Sequence, residues 1–229
     1  MKLVCFPYAG GGASFYLPWV KSSDDNIEVM PVQLPGRESR YREPLFNDFR
    51  TLLDALVCEV APHLGDSFAF FGHSFGALLA FELTHALHER GLRLPRHLFL
   101  SSYASPERTI DYPSPNELSQ DEFLRRVAAS FGGIPVEMFR DAQFRDLYLP
   151  ILQADLGALS SYQHQPRPPL NCPFTVMGGE DDRQITFQDL RAWRFHAACQ
   201  FKIRMYSGGH FYMRQHWAQM LEEIRSFES

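Results

Sequence analysis

A serine hydroxyl attacks an acyl carbonyl only when a base lies within reach and a third group orients that base. The chain carries candidates for all three on separate segments. Phe70-Phe71-Gly72-His73-Ser74-Phe75-Gly76-Ala77 reads G-x-S-x-G, with an apolar run before it and a helical pattern after it. That context makes it a nucleophile elbow, a turn so sharp that the positions two before and two after the serine crowd the adjoining elements. Glycine at 72 and 76 removes the clash. Ser74 then stands at the carboxyl end of a strand with its hydroxyl exposed and a helix N-terminus beneath it. The bland alternative is a Gly-rich turn with a capping serine.

In α/β-hydrolases the triad runs serine, acid, histidine along the chain. Gly208-Gly209-His210-Phe211 follows the last apolar run, where a loop histidine can swing over the elbow. His63, His85, His88, His196 and His216 fall within helical patterns and are expected on solvated faces. His97 and His164 lack the position, and His73 lies on the elbow itself, which leaves His210 as the base. The acid is expected in Met177-Gly178-Gly179-Glu180-Asp181-Asp182. Asp182 fits best, with a glycine turn before it and Ile185 as an apolar anchor after it; Asp181 is the runner-up. Two backbone N–H groups must meet the developing oxyanion. One is expected from Phe75. The other is expected from the loop Phe6-Pro7-Tyr8-Ala9-Gly10-Gly11-Gly12, from Ala9 or Tyr8. No Gly-Lys-Ser/Thr follows this loop, so it is not a nucleotide P-loop.

These residues need a scaffold that presents strand ends to one edge. Short apolar runs at Leu3 to Tyr8, Ile27 to Leu34, Phe68 to Phe71, His97 to Ser101, Phe174 to Met177 and Phe201 to Tyr206 read as strands, most of them without strict alternation. Strands of that kind are buried on both faces of a parallel sheet. Helical spacing links Phe49 to Val60, Leu78 to Leu87 and Trp217 to Phe227. The alternation predicts one α/β domain over 1–229, a mostly parallel sheet flanked by helices. Between Ser101 and Phe174 no strand is legible. Helical spacing at Phe123 to Phe131 and at Phe144 to Leu152 predicts instead a helical insertion at about 106–168, far longer than a crossover needs. Such insertions often cover a site.

The 229 residues are 45% hydrophobic and 21% charged, with a formal charge of −5. That balance argues against nucleic-acid binding. No apolar stretch approaches a bilayer-spanning length, and Met1-Lys2 runs straight into Leu3 without a signal-peptide pattern. Cys5, Cys58, Cys172 and Cys199 are scattered and show no metal-ligand spacing. They read as structural thiols of a reducing compartment, so a soluble cytoplasmic protein is expected.

Several stretches together resemble the type II thioesterases, the editing enzymes that accompany polyketide and nonribosomal peptide synthases. They are Phe6-Pro7-Tyr8-Ala9-Gly10-Gly11, Pro35-Gly36-Arg37-Glu38, Gly72-His73-Ser74-Phe75-Gly76 and Gly208-Gly209-His210-Phe211. Asp181-Asp182 with Trp193 downstream, and Ser101 to Pro106, are similar too. Pro-Gly-Arg-Glu is the most discriminating, because the wider α/β-hydrolase superfamily does not require it. The resemblance implies an α/β-hydrolase fold with a mobile helical lid; no metal or organic cofactor is implied, because the triad supplies all the chemistry. It implies hydrolysis of acyl groups from the phosphopantetheine arm of an acyl or peptidyl carrier protein. Phe75 stands where methionine is common in that family, and Ser102 to Ser105 lacks a basic residue often found there. Arg37, Arg40 and Arg42 are candidates for docking an acidic carrier, or else they solvate a loop and pair with Glu38 and Glu43. A general carboxylesterase or acyltransferase with the same triad is the alternative reading. A catalytically dead module that shelters an acyl chain is another, and the intact Ser, Asp and His argue against it.

Overall fold

The computed structural model of the chain describes residues 1–113 and 117–227. Six strands, β1 (Lys2–Phe6), β2 (Glu28–Pro31), β3 (Phe68–His73), β4 (Leu98–Ser101), β5 (Phe174–Gly179) and β6 (Phe201–Tyr206), lie in the order β2-β1-β3-β4-β5-β6. Every pairing is parallel. Each run read as a strand in the sequence overlaps one of these strands, with ends shifted by a few residues.

Two apolar faces explain the missing alternation. Val4, Phe6, Phe68, Phe70, Leu98, Leu100, Phe174 and Val176 pack on one face. Their neighbours Leu3, Cys5, Ala69, Phe71, Phe99 and Met177 pack on the other. Side chains alternate along a strand, so a run that is apolar throughout supplies two cores at once. The edge strand β6 differs: its Lys202 and Arg204 are exposed, and charge on an edge discourages pairing with another chain.

Among the described residues, eight α-helices connect or follow the strands: α1 (Leu17–Val20), α2 (Phe49–Val60), α3 (Phe75–Glu89), α4 (Gln120–Phe131), α5 (Glu137–Arg140), α6 (Ala142–Ser161), α7 (Phe187–Ala192) and α8 (Met213–Arg225). Helices α2, α3 and α7 cover the first face and α1 and α8 the second. Caps fix their starts. Asp48 accepts the Thr51 N–H at the head of α2, Asp141 accepts from Gln143 and Phe144 at α6, and Thr186 with Asp189 forms a capping box at α7. Each satisfies N–H groups that the first turn leaves without partners.

Helix α3 is enclosed from Phe75 to Leu87, as an all-round apolar helix must be. His85 is therefore buried beside Phe81, with ring centroids 4.7 Å apart. This corrects the expectation of a solvated face, since residues C-terminal to α6 lie over that side of the helix. Burial first, and the nearby Arg167 and histidines second, lower its pKa to about 3. Helices α4, α5 and α6 make up the insertion between β4 and β5. Residues 114–116, within the predicted 106–168 insertion, lie outside the described residues, as do 228 and 229 of the predicted domain.

Candidate active site

A parallel sheet carries all its carboxyl ends to one edge, and ligands of open α/β sheets bind there. Ser74 follows β3 at that edge with φ +54°. The strained backbone is held by the Ser74 N–H donating to Ser101 O at 2.7 Å. A Cβ at position 76 would run into the Phe6 and Pro7 carbonyls, and one at 72 into the Gly76 backbone. Only glycine lets β1 and the turn approach so closely, which is why the elbow carries it at both positions.

The loops after β5 and β6 bring in the other two groups. His210 Nε2 lies 3.0 Å from Ser74 Oγ, and His210 Nδ1 lies 2.8 Å from Asp182 Oδ2. With the carboxylate accepting from Nδ1–H, Nε2 is left free to accept the serine proton. Asp182 Oδ1 also accepts from the N–H groups of Gln184 and Ile185, at 3.0 and 3.2 Å. Burial pushes the Asp182 carboxyl up, but the His210 hydrogen bond and charge and these two N–H groups outweigh it, and the net pKa falls below 3.8. Asp181 is exposed and its N–H serves only to bond Gly208 O. Of the two candidate acids, the structure therefore brings only Asp182 to the histidine.

The Phe75 N–H heads α3 and so has no intrahelical acceptor. Ala9 and Tyr8 line the cavity at Ser74. Tyr8 O is occupied by the Gly11 N–H at 2.8 Å, and among the described residues the Ala9 N–H makes no backbone hydrogen bond. The cavity measures about 50 Å³, and Val127, Phe131, Ile134, Leu152, Leu156 and Leu159 of the insertion form its apolar wall.

Sequence reasoning missed a set of supporting residues. His73 Nδ1 meets Ser101 Oγ at 2.8 Å, and Ser101 Oγ meets the Tyr212 hydroxyl at 2.7 Å. Ser102 Oγ donates to His210 O at 3.2 Å. Together they clamp the loop that carries the base. Arg37, a candidate either for docking or for pairing with Glu38 or Glu43, is instead buried in an ion pair with Asp155 of α6. Arg40 pairs with Glu43 and Glu59, leaving Arg42 exposed against Tyr41. Nothing in the sequence pointed to Asp155, since a single acid within a helical stretch reads as solvent-facing.

The six-stranded parallel sheet and its serine elbow define the class: an α/β-hydrolase. Residues 1–227 match the thioesterase domain family, and the chain belongs to that family. It is a thioesterase. It is 35% identical to the gramicidin S biosynthesis protein GrsT of Aneurinibacillus migulanus, over 97% of this chain and 86% of that protein. It is 37% identical to the human medium-chain S-acyl fatty acid synthase thioesterase, over 93% of this chain and 80% of that protein. The solved type II thioesterase BorB of the borrelidin biosynthetic cluster superposes with a TM-score of 0.87 at 32% identity, covering 98% of this chain and 91% of BorB. The resemblance to editing thioesterases noted in the sequence is thus borne out. Among the described residues, no helix is long and apolar enough to cross a membrane.

Proposed function

We propose that the chain hydrolyses acyl groups from the phosphopantetheine arm of carrier proteins, removing aberrant or stalled chains, with Ser74, His210 and Asp182 as its triad. The hydrogen-bonded line from Ser74 Oγ through His210 to Asp182, opening into an apolar cavity, carries this reading. Ser74 Oγ bonds to the thioester carbon while its proton passes to His210 Nε2. Asp182 keeps the imidazole in the required tautomer and stabilises its charge. The N–H groups of Phe75 and Ala9 receive the oxyanion, each donor supplying on the order of a hundredfold in rate. Collapse breaks the C–S bond, and the departing sulfur takes the proton from His210. Water then adds to the acyl-serine with His210 as base, releasing the carboxylic acid and restoring Ser74.

Helices α4 to α6 act as the lid. The cavity beneath them holds only a few water molecules, so an acyl chain enters by displacing α4 and its following loop. The buried Arg37 takes no part in carrier docking; Arg42 remains as a solvent-facing contact.

The test is hydrolysis of a panel of acyl-phosphopantetheinyl carrier proteins beside the same acyl groups on N-acetylcysteamine and as oxygen esters. Ser74→Ala serves as control. Medium-chain acyl groups belong in the panel because of the human relative. Ser74-dependent turnover that favours carrier-linked thioesters is expected. Turnover indifferent to the carrier, or greater on oxygen esters, would replace this reading with a general esterase.

A further inference from the structure

The Pro35-Gly36-Arg37-Glu38 segment contributes no atom to the chemistry above, yet Arg37 grips the glycine loop after β1 and Glu38 grips Ser14, in the turn that follows it. The Arg37 and Asp155 side chains are 5% and 1% exposed. Arg37 Nη1 and Nη2 donate to Asp155 Oδ2 and Oδ1 at 2.6 and 2.7 Å, a two-pronged pairing. Asp155 Oδ2 also accepts the Gly10 N–H at 2.7 Å, and Arg37 Nη1 donates to Gly11 O at 3.1 Å. Glu38 accepts from the Ser14 N–H at 3.1 Å and from its hydroxyl at 2.5 Å.

The Arg37 and Asp155 contacts fall on the peptides that follow Tyr8–Ala9. Gly10, at φ +80°, turns the chain so that the Gly11 N–H can bond Tyr8 O. Tyr8 C=O and Ala9 N–H belong to the same planar unit, and in a trans peptide they point in opposite directions. Fixing Tyr8 O therefore fixes the direction of the Ala9 N–H. Asp155 holds the next peptide through Gly10 N, and Arg37 holds the Gly11–Gly12 peptide, two further along, through Gly11 O. A buried ion pair adds little net stability once its desolvation is counted, so its value here is geometric.

We propose that Arg37 and Asp155 are positioning residues for the oxyanion hole, acting through Gly10 and Gly11 to aim the Ala9 N–H. This rests on the triad reading given above. Because Asp155 belongs to α6, it also ties the loop that receives the oxyanion to the helical cover.

The measurement is steady-state hydrolysis of an acyl-N-acetylcysteamine by wild type, Ser74→Ala, the apolar pair Arg37→Met with Asp155→Leu, and Arg37→Lys. Beside it runs the affinity of an acyl trifluoromethyl ketone, which adds to Ser74 and places an oxyanion in the hole. The affinity of the matching carboxylic acid reports ground-state binding. For the apolar pair, kcat is expected to fall by about tenfold to a hundredfold with KM nearly unchanged, as for a misplaced donor. Ketone affinity falls in parallel while acid affinity holds. Arg37→Lys keeps the charge pair and the fold but loses the fork geometry, so it shows a smaller loss of the same kind. The proposal is overturned if folded Arg37→Lys and the apolar pair both retain wild-type kcat and ketone affinity. It is also overturned if the acid and the ketone weaken together. Absence of Ser74-dependent turnover in the wild type would instead strike the triad reading itself.

Discussion

Asp181 and Asp182 are chemically identical neighbours, and what separates them is the direction in which each carboxylate faces. Asp182 is turned inward to His210 Nδ1 and two backbone N–H groups, while Asp181 faces solvent. Asp182→Asn is expected to lower kcat by about ten-thousandfold with KM little changed, since the amide favours the wrong tautomer. Asp181→Asn is expected to stay within about twofold of wild type, as an exposed substitution away from the chemistry. Equal losses in the two variants, measured on one thioester, would refute the assignment. Ser74 and His210 were legible because each sits in a glycine frame at a strand end. The choice of acid stayed open, because three adjacent carboxylates show no inward direction in the sequence. Asp155 was not legible at all: a single acid in a helix reads as solvent-facing until its arginine, 118 positions away, is seen beside it.

At the scale of elements, the long helices α2, α3, α4, α6 and α8 were readable from apolar spacing, and the strands from their unbroken apolar runs. The short helices α1, α5 and α7 span four to six residues, too few turns for a period to emerge. The face of α3 was misjudged for a related reason: amphipathic counting assigns polar residues to water, and His85 instead lies under the segment after α6. Two element-scale predictions follow from contacts. Phe131 stacks on Tyr112 at 5.9 Å and meets the His210 ring edge-on at 5.4 Å, closing the cavity. Phe131→Ala is expected to raise the kcat/KM ratio of octanoyl over acetyl thioesters by about tenfold or more, the scale set by added methylenes in an apolar pocket. An unchanged ratio would mean that Phe131 does not limit chain length. Gly76→Ala forces a methyl into the Phe6 and Pro7 carbonyls and is expected to cost at least about 1–3 kcal/mol, read from urea denaturation. It should also depress kcat by displacing Ser74.

Over the described residues, burial disfavours the charged forms of four histidines, the half-buried His164 and the more deeply placed His73, His85 and His97. Burial leads for each, lowering His73 well below 6.5, His85 to about 3 and His97 to about 4. Below pH 6.5 the unfolded chain takes up protons that the folded chain does not, so stability declines as pH falls. Each histidine contributes up to about 1.4 kcal/mol per pH unit until its folded value is reached. Asp182, with its folded pKa depressed, contributes stability above about pH 3.9 that is lost only as pH falls further through its folded value. Destabilisation is therefore expected to begin between pH 7 and 5, ahead of carboxylate titration, in urea melts at stepped pH. His97 stacks on Phe99 and meets Thr175 Oγ1 at 2.8 Å; His97→Gln is expected to remove one share of that slope. A flat profile from pH 7 to 5 would contradict this account.

The two helical walls of the cavity are not equivalent as ground for directed evolution. Diversity placed on α4 and at residues 131–134 alters the acyl chamber without touching any group that holds Gly10 or Gly11. Diversity on α6 acts on a helix whose Asp155 is bonded to the glycine loop, so a shift made to admit a bulkier chain is transmitted to the reacting carbonyl's receptor. Libraries aimed at new substrates belong on the first wall. Clones selected from the second are expected to gain room and lose turnover together.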